Sequence, residues 1–112
     1  DGSPIALDGV ALSPAALVTQ LNTVAGDHGI GRIDVMEDRM LGLKVRENYE
    51  CPAAMVLIKA HQTLEALVLT RDELCMKALI DAEWSKLAYE GLWIDPLKTD
   101  LEAFIALRTN VS

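Results

Sequence analysis

Aromatic side chains are scarce in this chain, with two Trp, two Tyr and one Phe among 112 residues, so any core must be built from Leu, Ala, Val, Ile and Met. Cysteine is scarcer still. Cys51 and Cys75 form no CxxC pair and read as reduced core thiols of a cytosolic protein, with a disulfide as the alternative. Basic residues are outnumbered, 10 Lys and Arg against 17 Asp and Glu, giving a net charge of −7. That balance excludes binding to a phosphate backbone, which needs clustered cations, and no basic amphipathic face suggests a membrane surface. The longest apolar run, Ala53 to Ile58, is far too short to span a bilayer, and no signal peptide precedes it. There is no GxSxG, no Walker-type loop, no Cys–His nucleophile arrangement, no internal repeat and no low-complexity tract.

What is present is an aliphatic-rich chain, 51% hydrophobic, of one-domain length. The apolar share hints at a surface meant to be covered by something else. The chain opens at Asp1-Gly2-Ser3-Pro4 without Met and stops at Asn110-Val111-Ser112, which suggests a cut through a larger protein.

Asp8-Gly9 between Pro4–Leu7 and Val10–Leu12 predicts a hairpin. Ser13-Pro14 opens a helix, with Leu17, Val18, Leu21 and Val24 at helical spacing and Gly26 as its terminator. From Arg32 the period becomes two: Ile33, Val35 and Glu37 share one face, Asp34 and Met36 the other. Leu41, Leu43 and Val45 alternate likewise, so the two runs read as paired strands or a bent hairpin near Asp38-Arg39. Pro52 opens a second helix, apolar nearly all round at first and expected to be the most buried. A third starts at Asp72, with Leu74, Leu79, Ile80, Trp84, Leu87 and Ala88 inward, and stops at Gly91. Asp95-Pro96 opens a fourth, with Leu97, Leu101, Phe104, Ile105 and Leu107 inward. The fold class is therefore α+β: short antiparallel hairpins followed by three to four packed helices, a fragment of a larger α/β-type domain.

Few side chains suggest chemistry. Glu37 has the strand parity of Ile33 and Val35, so its carboxylate points inward and needs a partner. That partner is either a ligand ammonium or a basic neighbour, Arg39, Lys44 or Arg46, unless the strand end is simply exposed. Tyr49, just before Cys51-Pro52, brings an apolar ring and a polar tip. Its hydroxyl either donates to a carboxylate or caps the core through backbone. The glycines of His28-Gly29-Ile30-Gly31-Arg32 lead into a strand rather than a helix N-terminus, so they serve backbone geometry and not a nucleotide. His61 and Glu65, one helical turn apart, suit a helical salt-bridge or hydrogen-bonded pair better than a metal site, which would need further converging ligands.

The run Gly29 to Pro52, GIGRIDVMEDRMLGLKVRENYECP, resembles the GIGRIDxVE(N/D)RxxGxKSRxxYExP segment of argininosuccinate synthases in order and spacing. The likeness continues through Pro4–Gly9 and Leu12–Pro14 on one side. On the other it continues through Ala60-His61, Leu64–Leu67, Leu69–Asp72, Tyr89–Trp93 and Asp95–Lys98, so it covers essentially the whole chain. It implies a middle part of that family's synthetase domain, residues 1–112 here, without the ATP-binding domain and its SGG-type loop. It also implies a cytoplasmic, ATP-dependent ligase of arginine biosynthesis and the urea cycle, a homotetramer, joining citrulline to aspartate with release of AMP and pyrophosphate. ATP, and the Mg expected with it, would be bound by the domain not present here, and this segment alone would be inactive. By the same resemblance Glu37 and Tyr49 are citrulline-binding residues, in positioning rather than acid–base roles. Val45 stands where the family usually has Ser, Cys51 where Thr or Ala is common before Pro52, and Asp38 where Asn is frequent. The alternative is a catalytically silent binding or oligomerisation module derived from that family.

Overall fold

The structure, a computed structural model, describes residues 2–109. Asp1 and Asn110 to Ser112, which framed the reading of the chain ends, lie outside the described residues. The fold is α+β, as the pattern predicts. Two short strands, β1 (Ala6–Leu7) and β2 (Val10–Ala11), precede α1 (Pro14–Asp27). Two longer ones, β3 (Arg32–Asp38) and β4 (Lys44–Glu50), precede α2 (Pro52–Val68), α3 (Arg71–Tyr89) and α4 (Pro96–Thr109). The chain divides into two compact units, Ser3–His61 and a second beginning at Gln62.

In the first unit the Asp8-Gly9 turn has positive φ at both central residues, 50° and 80°, the requirement of a type I′ turn. It pairs Leu7 with Val10 and Ala6 with Ala11. Ser13 caps α1 by accepting the Ala16 N–H, with Pro14 at the first helical position. Leu17, Leu21 and Ala53 form a small buried core, packed by Leu7, Leu12, Val56 and Leu57. Its buried members are Leu and Ala only, while Met36, Met40 and Met55 are exposed.

Gly26 does not end α1. The helix continues to Asp27, and the left-handed residue is Gly29, at φ 73°. The Ile30 N–H donates to Ala25 O at 3.0 Å and the Gly29 N–H to Gly26 O at 2.9 Å, the bond pair of a Schellman motif. Gly26 sits one turn too early to donate these bonds. At the start of α2 the cap comes from a distant residue. Asn22 Oδ1 accepts the Ala53 N–H at 2.8 Å, satisfying a first-turn donor two residues after Cys51.

In the second unit Thr70 caps α3 in a reciprocal box with Glu73. The helix begins at Arg71, one residue before the Asp72 expected. Bonds to Glu73 from the Thr70 backbone and hydroxyl, and then from Arg108, hold its carboxyl below the usual range. Gly91, at φ 75°, ends α3 as predicted, in a second Schellman pair formed by the Leu92 and Gly91 N–H groups. Asp95 Oδ1 accepts the Leu97 N–H at 2.8 Å at the start of α4.

Burial departs from the sequence reading in several places. Of α2 only Ala53 is buried, and Met55, Ile58, Leu64, Leu67 and Val68 are exposed. Leu79 is exposed too, and Lys77 takes the inward position, one turn from Ile80 and Asp81 on the stripe that continues to Trp84 and Leu87. Leu97 and Leu107 are likewise exposed in α4. Both cysteines are free, but neither is a core residue: Cys51 is half-buried and Cys75 exposed. Apolar periodicity identifies residues that share a helix face. It does not contain the neighbour that would cover that face. No helix of the described residues is long and apolar enough to cross a membrane.

Candidate functional site

The β3–β4 ribbon is antiparallel, with Ile33 opposite Tyr49, Val35 opposite Glu47 and Glu37 opposite Val45. Directly paired residues share a face. One face therefore carries Ile33, Val35, Glu37, Val45, Glu47 and Tyr49, all but Tyr49 half-buried, and the other face is exposed throughout. On the exposed face Arg46 grips Asp34 with two bonds, Nε to Oδ1 at 2.9 Å and Nη2 to Oδ2 at 2.5 Å. This fork holds the Asp34 carboxyl below its ordinary pKa. Lys44 also pairs with Asp38 there, beside the tight loop that joins the strands.

On the half-buried face the two residues singled out from the sequence meet. The Tyr49 hydroxyl donates to Glu37 Oε1. The partner of Tyr49 across the ribbon is Ile33, four residues from Glu37 or about 13 Å along an extended strand, so both side chains must lie flat along the face to touch. Tyr49 remains 41% exposed. Glu37 Oε2 is 3.3 Å from Arg39 Nη1, so one of the three basic neighbours weighed from the sequence is also present. Arg39 in turn donates from Nη2 to Glu47 Oε1 at 2.7 Å. The sequence reading did not include Glu47. Its parity with Tyr49, two positions before it on β4, was the available signal.

A hollow of about 410 Å³ at the far end of the ribbon is lined by Arg32, Ile33, Asp34, Asn48, Tyr49 and Glu50. Tyr49 borders it and Glu37 does not. Among the described residues no group of three or more His, Cys, Asp or Glu could hold a metal ion. Glu65, considered with His61, has Lys77 Nζ at 3.0 Å from Oε1. The glycine loop at residues 28–32 runs into β3, so it offers phosphate groups no helix N-terminus.

The hydrogen bond to Glu37 raises the Tyr49 phenol above its ordinary pKa, helped by partial desolvation and the charges of Glu37 and Glu47, and opposed by Arg39. Because the folded value is raised, the interaction contributes stability that is fully present below the ordinary phenol pKa of about 10. That contribution disappears as pH rises through the folded value. Ultraviolet titration of the two tyrosines should therefore show one ionising late, and Glu37→Gln should bring it earlier. A titration curve that the substitution leaves in place would contradict the bond.

Residues 1–111 match the arginosuccinate synthase C-terminal domain. The chain is 55% identical to the argininosuccinate synthase of Methanocaldococcus jannaschii over 105 residues, covering 94% of this chain and 27% of that protein. To the argininosuccinate synthase of Haloarcula marismortui it is 62% identical, over 94% of this chain and 25% of the relative. With that of Methanosarcina acetivorans the identity is 60%, over 93% and 26%. The chain thus spans about a quarter of the length of the curated relatives it matches.

Proposed function

The chain belongs to the argininosuccinate synthase family, through the C-terminal domain of that enzyme, and from that membership we propose that it is the citrulline-holding segment of an ATP-dependent carbon–nitrogen ligase. The reaction joins citrulline to aspartate, with AMP and pyrophosphate released, in a cytoplasmic homotetramer. In this reading ATP, with its Mg, is handled by parts of the enzyme outside this segment. The segment belongs to the synthetase domain and is inactive alone.

In this reading Glu37 takes the α-ammonium of citrulline and Tyr49 steadies the amino-acid end. The observation that carries it is the Tyr49–Glu37 hydrogen bond on one half-buried face. A carboxylate offers about four acceptor sites, and a phenol that donates keeps its oxygen lone pairs. An ammonium placed between the two therefore meets two acceptors already oriented. Both residues act by positioning: fixing one reactant converts an encounter between two into a step within one complex.

The test is Glu37→Ala in the full-length enzyme. Losing a charge-assisted partner weakens binding by about 1.5–3 kcal/mol, so the citrulline KM should rise roughly ten- to a hundredfold. Aspartate KM should stay near its starting value. An unchanged citrulline dependence would end the assignment of Glu37 to the citrulline pocket.

A further inference from the structure

We propose that Arg39, braced by Glu47, is a positioning residue that fixes the Glu37 carboxylate in the orientation an incoming ammonium needs; the proposal rests on the reading of Glu37 as the citrulline partner. Glu37 and Glu47 occupy diagonal positions of the β3–β4 ribbon on the same face, since Glu37 faces Val45 and Glu47 lies two residues further along β4. Diagonal side chains are within reach of one another, and two carboxylates so placed repel. Arg39 also lies on that side, two residues beyond Glu37, and its guanidinium touches both acids. Nη2 sits 2.7 Å from Glu47 Oε1 and Nη1 3.3 Å from Glu37 Oε2. The shorter bond is the one to Glu47. Arg39 is thus anchored on Glu47 and rests against Glu37.

The backbone of Arg39 is fixed as well. Its N–H donates to Leu43 O at 2.8 Å and its carbonyl accepts the Gly42 N–H at 2.8 Å, in a loop whose Gly42 has φ 76°. The guanidinium therefore springs from a closed turn and is tied at its far end, which leaves little freedom for the carboxylate it touches. Tyr49 holds the other oxygen of that carboxylate. Glu37 is consequently pinned from two sides while acceptor sites remain on both oxygens. Two carboxylates and one guanidinium sum to a single negative charge, which one ammonium neutralises. A pinned acceptor spares the ligand the entropy of ordering it, and this favours binding without any new contact to substrate.

The experiment is steady-state kinetics of the full-length enzyme with citrulline and aspartate varied separately. The variants are Glu47→Gln, Arg39→Met and Arg39→Lys, with Glu37→Ala alongside. Glu47→Gln keeps the size of this half-buried side chain and tests the brace with little risk to folding. It should raise citrulline KM about threefold, and Arg39→Met about tenfold, with the change falling on citrulline KM and not on aspartate KM. Arg39→Lys should recover only part of the loss, because one ammonium cannot present two nitrogens to two carboxylates. If Glu37→Ala raises citrulline KM while Glu47→Gln and Arg39→Met leave it alone, the positioning role is overturned and the assignment of Glu37 stands. If Glu37→Ala has no effect, both fall together. Equal rises in the two substrates' KM would mark a general structural defect and also overturn the proposal.

Discussion

Replacing Gly31 with alanine should destabilise the protein by roughly 2–6 kcal/mol, far more than the same change at Gly42. Both glycines have positive φ, 102° and 76°, so both changes carry backbone strain of about 1–3 kcal/mol. The difference lies in what surrounds them. A Cβ on Gly42 would meet nothing within 4 Å, whereas a Cβ on Gly31 would overlap Pro52 N and Cα and lie 2.9 Å from the Cys51 carbonyl carbon. Those are backbone atoms and cannot rotate out of the way. They also belong to the junction where the Gly31 carbonyl accepts the Cys51 N–H at 2.9 Å, just as β4 ends and α2 begins. Relief of the clash must therefore shift the chain two residues from Tyr49, and citrulline KM should rise as stability falls. Melting midpoints of the two variants of the full-length protein decide the matter: equal midpoints would mean that the close approach at Gly31 is wrong.

A second large effect is expected from Lys77→Met. Lys77 is 6% exposed, and its Nζ lies 3.0 Å from Glu65 Oε1 and 2.5 Å from Asp81 Oδ2. Burial pulls its pKa down and is the largest single influence. The bonds to Asp81 and Glu65 and their charges together outweigh it, so the net shift is upward. The stability associated with the protonated lysine is thus complete below the ordinary lysine pKa and is lost as pH rises through the folded value. Removing the lysine takes the cation from between two carboxylates, of which Asp81 keeps contact with water. Glu65 has little exposure to water and would face Asp81 without the cation between them. Such losses run to about 3–5 kcal/mol, partly offset here by the apolar fit of Met. Adding Glu65→Gln to Lys77→Met should return a good part of the loss by removing the repulsion between the Glu65 and Asp81 carboxylates. A double variant no more stable than the single one, measured by thermal or urea unfolding, would show that Lys77 contributes through packing of its stem alone.

The local grammar of the fold was legible where a residue type has one conformational use. Asp8-Gly9 signalled a hairpin, Ser13-Pro14 and Asp95-Pro96 opened helices, and Gly91 closed one. Strand parity put Glu37 on the face of Ile33 and Val35, but parity alone did not put Tyr49 there, because that depends on the register that pairs Tyr49 with Ile33. It could not show that they touch, since that depends on both side chains lying along the ribbon rather than standing off it. Gly26 and Gly29 were equally permissive, and only the bonds to Ala25 and Gly26 distinguish them. Lys77 was invisible for a different reason. A lysine on an apolar stripe looks like an interruption until the acids from a neighbouring turn and a neighbouring helix are seen around it.

Trp84 and Trp93 stand edge to face with ring centroids 6.4 Å apart, and Lys98 Nζ lies 4.9 Å from the centre of the second ring. These are the two tryptophans of the chain. Indole emission, the usual optical reporter of unfolding, will therefore follow the α3–α4 segment of this chain and be blind to the ribbon that carries Glu37. A fluorescence melt of the chain could look intact while the ribbon has already come apart. A dye on an engineered cysteine near the Met40–Leu43 loop would supply the missing signal.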